Sequence, residues 1–134
     1  MSQESEMEAL FDRWFRQVWQ EGRYDLIPTC LAPVYTRHGS PIQSSFTLAY
    51  TPEEYARVLA TERERTHLRS VIHDHGFSGD RAWFRATFFR VDPETSREVS
   101  YAGIQVYRIE GGRLAETWVA LHGAGSAWPE DARA

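Results

Sequence analysis

Five histidines are the side chains of this chain best suited to moving protons near neutral pH, because an unperturbed imidazole has a pKa of about 6.5. They are His38, His67, His73, His75 and His122. His73 and His75 stand two residues apart in a stretch that reads as a strand, so they are expected to share a face, with Asp74 on the other. Two imidazoles at that spacing can reach one metal ion, but no third ligand is evident, and no metal site is expected. His67 reads as a surface residue at a helix–strand junction. Cys30, the only cysteine, sits among Ile27 and Leu31 and reads as a buried, inert thiol. It rules out an internal disulfide and fits a reducing cytoplasm. No G-x-S-x-G elbow, P-loop or G-x-G-x-x-G is found.

The last histidine ends a hairpin. Residues 101–122, YAGIQVYRIEGGRLAETWVALH, alternate in character on both sides of Gly111-Gly112. A Gly-Gly loop admits the positive φ angles of a tight turn. Counting outward predicts the pairs Glu110/Arg113, Tyr107/Glu116, Gln105/Trp118, Gly103/Ala120 and Tyr101/His122. One face then carries Tyr101, Gly103, Gln105, Tyr107, Trp118 and His122. The other carries Ala102, Ile104, Val106, Val119 and Leu121. The mixed face reads either as a half-polar outer surface or as a pocket lining. In the second reading Gly103 and Ala120 leave room for a ligand, and Trp118 and Tyr101 wall it.

These strands need elements to hold them. Residues 5–21 place Leu10, Trp14, Phe15, Val18 and Trp19 at helical spacing, with Ser5 and Glu8 as a capping box and Gly22 as the stop. A second short helix is expected over 24–31. Residues 34–38 read as a strand with Val34, Thr36 and His38 on one face and Tyr35 and Arg37 on the other. Residues 39–50 read as a loop, a rim or lid whose Ile42, Phe46 and Leu48 fold inward. Thr51-Pro52-Glu53-Glu54 starts a helix that runs to about Arg65, with Tyr55, Val58 and Leu59 as its stripe. Strands at 67–77, 81–91, 97–110 and 113–123 complete a meander. Residues 1–4 are expected to be disordered, 5–124 to form one domain, and 125–134 to be a tail that Trp128 can dock. Helices first and a meander after imply an α+β fold.

Composition narrows the function classes. The 134 residues suit one domain, and a net charge of −4 with arginines scattered among acids excludes a nucleic-acid-binding patch. No apolar run reaches membrane-spanning length, and the first ten residues lack a signal-peptide pattern. A cytoplasmic protein is expected.

The stretch GIQVYRIEGGRLAETW resembles the closing strands of the SnoaL-like polyketide cyclases. The shared pattern is an aromatic-Arg-apolar triplet (Tyr107-Arg108-Ile109), a Gly turn, a basic residue, an apolar residue, then Glu-x-Trp. FDRWFRQVWQEGRYDLIPTCLAPVYTRHGS resembles the opening of the same family. That family lies within the nuclear transport factor two-like superfamily, with the ketosteroid isomerases and limonene epoxide hydrolase. The resemblance implies a cone-shaped half-barrel, in which a curved antiparallel sheet carries N-terminal helices on its concave face. It also implies an interior pocket for a hydrophobic small molecule and a homodimer through the outer sheet face.

The resemblance also assigns residues. His38 falls where the isomerases place their carboxylate base. Gln105 falls where they carry a pocket aspartate, and a carboxamide can steady an oxyanion but cannot exchange protons. Phe15 stands where they have a tyrosine donor, and with Trp14 on the first helix it is expected to wall the pocket. His122 and His73 are assisting candidates. Arg85 is the expected interior arginine, yet the Asp-Arg-Asp set of the epoxide hydrolases is missing. The expectation is a cofactor-independent cyclase, isomerase or dehydratase that removes a proton beside a carbonyl. The alternative is a non-catalytic ligand-binding or dimerisation module.

Overall fold

A computed structural model of the chain describes residues 3–39 and 47–129. Helix α1 spans Gln3–Phe11 and continues without a break as a wider, π-helical stretch over Asp12–Gln20. Ser5 therefore lies within the helix, and it does not cap it. Gly22, at φ 76°, turns the chain out of the helix. A 3₁₀ turn, Tyr24–Thr29, leads into strand β1, Leu31–His38. The expected lid falls largely on residues outside the described ones, Ile42 and Phe46 among them. Its last residues form a short strand, β2 (Thr47–Tyr50), against β1.

Helix α2, Pro52–Thr66, starts as its sequence predicts. Thr51 Oγ1 accepts the Glu54 N–H at 3.2 Å, and Glu54 Oε1 accepts the Thr51 N–H at 3.3 Å. Strands β3 (Arg69–Ser78), β4 (Arg81–Val91), β5 (Glu98–Glu110) and β6 (Arg113–Leu121) follow. The sheet order is β2-β1-β6-β5-β4-β3. It is a curved, unclosed sheet with N-terminal helices on its concave side. Neighbouring strands are antiparallel except β1 and β6, which run parallel because the whole meander separates them in sequence.

The core lies between the first helix and the inner sheet face. Leu10, Phe11, Trp14, Phe15, Val18 and Trp19 pack on Ala82, Phe84, Ala86, Phe88 and Tyr107. Phe15 stacks on Phe84 at 5.1 Å, and Trp14 meets Tyr35, Tyr55 and Tyr107 edge-on or stacked. Cys30 is buried within this core and burial pushes its thiol pKa up, as expected of an inert cysteine.

Two bulges change which side chains share a face. In the last hairpin Glu110/Arg113 and Ile109/Leu114 pair as counted, with Gly111 and Gly112 both at positive φ. Ala115 then has no opposite number, and beyond it Arg108 faces Glu116, Gln105 faces Val119 and Gly103 faces Leu121. In β3 the register shifts between Ile72 and Asp74, which moves His73 out of its expected alternation.

Candidate functional site

Between α2, β2 and the concave sheet face lies a cavity of about 220 Å³. Its apolar wall includes Leu59, Leu68, Phe88, Val119 and Leu121, with Trp19 from the first helix. Its polar lining includes Arg37, Gln105, Glu62 and Arg90. Each arrives there for a local reason. Tyr35 and Arg37 share the inner face of β1 by strand alternation, and Tyr35 is fully buried. Gln105 and Tyr107 share the inner face of β5. The Ala115 bulge turns Val119 and Leu121 inward beside them.

Arg37 is a cation at the centre of a network of neutral partners. Its Nη1 donates to the Tyr35 hydroxyl at 2.9 Å and to Gln105 Oε1 at 3.3 Å. Gln105 Oε1 also accepts from the Tyr107 hydroxyl at 2.7 Å. The Tyr35 hydroxyl bonds Thr117 Oγ1 at 2.5 Å. The guanidinium lies over the Tyr55 ring, 5.0 Å from its centroid. Burial pushes the phenols of Tyr35, Tyr55 and Tyr107 above their ordinary range, and the nearby Arg37 charge opposes this without cancelling it. These phenols are hydrogen-bond donors and acceptors, not bases. Glu62 is the one carboxylate in the described lining, and it is bound to Arg90 and, at 2.7 Å, to Arg65.

The expected residues fall into two groups. Tyr101 and Gln105 line the cavity. Trp14 and Phe15 lie just behind it as core, Phe15 facing the separate cleft that holds His75. His38 does not converge with Gln105. It is on the opposite face of β1 from Arg37, where it stacks on Trp118 at 5.5 Å. Its Nε2 bonds Glu116 Oε2 at 2.6 Å and its Nδ1 meets Thr47 Oγ1 at 3.0 Å. The Glu116 pKa is lowered, first by the His38 bond and then by Arg108.

The Ala115 bulge explains why Trp118 and His122 miss the cavity. It flips every residue beyond it relative to a bulge-free count. Trp118 lies outside with Ile104 and Val106, all partly exposed. The His122 N–H donates to Ala102 O, and its ring packs near Trp128 at 6.0 Å. Ala120 is likewise on the outer side, and the space over Gly103 is taken, since a Cβ there would fall 2.0 Å from Leu121 Cδ2.

Arg85 is not the interior arginine. It forms a two-pronged pair with Asp74 and lies 4.8 Å from the Trp128 ring on the outer face. The β3 bulge also separates the histidine pair. His73 Nε2 meets Thr87 Oγ1 at 2.9 Å on the Arg85 side, whereas His75 packs against Phe15 at 5.1 Å on the inner side. Among the described residues no cluster of three metal-ligating side chains occurs. The Trp128 indole N–H donates to Ala86 O at 2.7 Å and docks the start of the tail.

Arg37 is the residue that sequence reasoning passed over. Its signal was present, because it alternates with Tyr35, and a large aromatic in a strand beside a polar face marks the core side. The family resemblance pointed instead to His38 on the other face, where Val34 is 64% exposed.

A family model described as the SnoaL-like domain matches residues 11–117. No curated protein matches the chain. Among solved structures, TsrD from Streptomyces laurentii is similar with a TM-score of 0.69 at 21% identity, over 90% of each chain. A candidate polyketide cyclase from Acidithiobacillus ferrooxidans gives 0.68 at 22% identity, over 90% of this chain and 91% of its own. An LEH-like epoxide hydrolase of M. tuberculosis gives 0.67 at 17% identity, over 88% of this chain and 84% of its own. At these identities the structures speak for the fold, a cone of helices on a curved sheet. With the model covering most of its length, from the first helix to the final strand, this chain belongs to the SnoaL-like family.

Proposed function

We propose that this protein binds a small hydrophobic molecule carrying a polar oxygen in the cavity beneath α2. The observation that carries this reading is the union of an apolar wall with a guanidinium, Arg37, that is held by Tyr35 and Gln105 and, unlike Arg90, is paired with no carboxylate among the described residues. Arg37 supplies positive charge to a carbonyl or enolate oxygen, and Gln105 positions Arg37 by accepting from it. Tyr101, Trp14 and Phe15 shape the cavity or back its wall.

Proton abstraction beside a carbonyl, with His38 as base and His122 or His73 assisting, is the finer enzymatic reading. The geometry favours binding over it. His38 is engaged with Glu116 on the far side of β1, and Glu62 is held by two arginines. We therefore place the non-catalytic module first and the cyclase or isomerase second.

A thermal-shift screen of hydrophobic ketones, acids and amides tests this, with Val119→Trp as the cavity-filled control. Stabilisation of the wild type that disappears in Val119→Trp is the expected result. Equal shifts in both proteins would place binding elsewhere. Turnover of any ligand, lost in His38→Ala, would restore the enzymatic reading.

A homodimer through the outer face belongs to the same proposal, on the strength of exposed Trp83, Ile104, Val106 and Trp118. Trp118→Glu is expected to shift it toward monomer in light-scattering chromatography.

A further inference from the structure

We infer that the cavity takes its hydrophobic occupant as an anion, a small aromatic or aliphatic carboxylate whose head group meets the Nε/Nη2 edge of Arg37. This rests on the pocket reading above and adds the charge of the occupant.

The arginines of this chain offer the contrast. Arg16, Arg23, Arg69, Arg85, Arg90 and Arg108 each bind a carboxylate within the chain. Arg37 binds none among the described residues; Arg13, Arg57, Arg63, Arg97 and Arg113 do not either, but of these six only Arg37 lines the cavity. A guanidinium has five N–H donors, and only Nη1 of Arg37 has acceptors among them, the Tyr35 hydroxyl and Gln105 Oε1. The Nε–H and one Nη2–H point the same way along one edge, the geometry that matches the two oxygens of a carboxylate.

Charge counting leads to the same chemistry. The other charged lining residues, Glu62 and Arg90, bind each other. The remaining neighbours of Arg37 are phenols and a carboxamide, which are neutral. One positive charge is left facing a largely apolar cavity, and a half-buried cation is partly stripped of water, a cost that an anion would offset. The Trp19 indole N–H, buried with no hydrogen-bond partner among the described residues, belongs to a side chain of the same lining. The lining around this polar group is aliphatic and aromatic, so a bare inorganic anion would leave it uncovered. At about 220 Å³ the cavity is smaller than the ~300 Å³ at which drug-sized ligand pockets begin. One or two rings fit inside, not a tetracycle.

The test is calorimetric titration with 2-naphthoate and 2-naphthamide, which share a shape and differ by one charge, at pH 7.5. Wild type is expected to bind the carboxylate about tenfold or more tightly than the amide, as a charge-assisted fork predicts. Gln105→Glu places an internal carboxylate against Arg37, and Arg37→Gln removes the cation. Each is expected to bring the two ligands to similar affinity. Gln105→Glu is nearly isosteric, so it serves even if Arg37→Gln is poorly folded.

Equal affinities in wild type would overturn the inference, provided that both are lost in Val119→Trp, and would leave the pocket reading standing. A carboxylate preference that survives both substitutions would overturn the role of Arg37. Binding that persists in Val119→Trp, or no binding of either compound to wild type at millimolar concentration, would bring down the pocket reading and this inference together.

Discussion

Arg37 and His38 are neighbours in sequence and live in opposite surroundings. Arg37 faces the concave side, among three buried tyrosines, a carboxamide and an apolar wall. His38 faces outward, paired with Glu116 and stacked on Trp118. The outer cluster has its charges matched inside the chain. The inner cluster borders the cavity, and its cation has no anion among the described residues. A site that binds a ligand keeps some of its chemistry unspent, and on the proposed reading that is the inner side. The outer cluster ties β1 to β6 across their parallel junction.

The largest test of this contrast is stability. Tyr107 is fully buried between Trp14, Phe15 and Phe84. Tyr107→Ala is expected to cost about 3–5 kcal/mol in urea unfolding, the range for a large aromatic in a core. Trp118→Ala, at a partly exposed position, is expected to cost under about 1 kcal/mol. Comparable losses would mean that the outer cluster carries as much packing as the inner one.

The next effect is on ligand binding. His38→Gln is expected to change 2-naphthoate affinity by less than about twofold, whereas a tenfold change is expected at Arg37 or Gln105. A tenfold loss in His38→Gln would show that the two faces of β1 are coupled.

The smallest effect is a pH dependence. His38, and after it Arg108, hold the Glu116 carboxyl below its ordinary pKa of 4.5. A depressed folded-state pKa means that this contribution to stability is complete above about pH 4.5 and fades as pH falls through the lower folded value. For a partly exposed pair it is at most about 1 kcal/mol. Asp12 and Glu98, each beside an arginine, add loss in the same direction. The informative measurement is therefore a difference. Glu116→Gln should flatten the decline in melting temperature between about pH 5 and 3 relative to wild type. An unchanged slope would mean that the bond adds nothing in solution.

Much of the fold was readable because local rules agreed with each other. Thr51-Pro52-Glu53-Glu54 names a helix start in any context. The Gly111-Gly112 turn gave the correct innermost pair, and the aromatic run of β4 gave its bounds. Site residues were harder to read. Gln105 and Tyr101 lie on β5, opposite the strand that carries the extra residue, so they keep their expected face and line the cavity. Trp118 and His122 lie beyond Ala115 and do not. His73 left the face of His75 for the same reason.

What the residues determine by themselves is periodicity: which segments are helices, which are strands, and where turns interrupt them. Those signals are local, a matter of side-chain spacing and backbone preference over a few residues. Which face of each strand looks inward was decided only in the tertiary structure. A single unpaired residue, Ala115, reverses every later side chain at little local cost, and nothing in the composition of the strand announces it. The same is true of Arg37. Its meaning depends on which charges fail to reach it, and that follows from the packing of β1, β5 and α2 around one cavity.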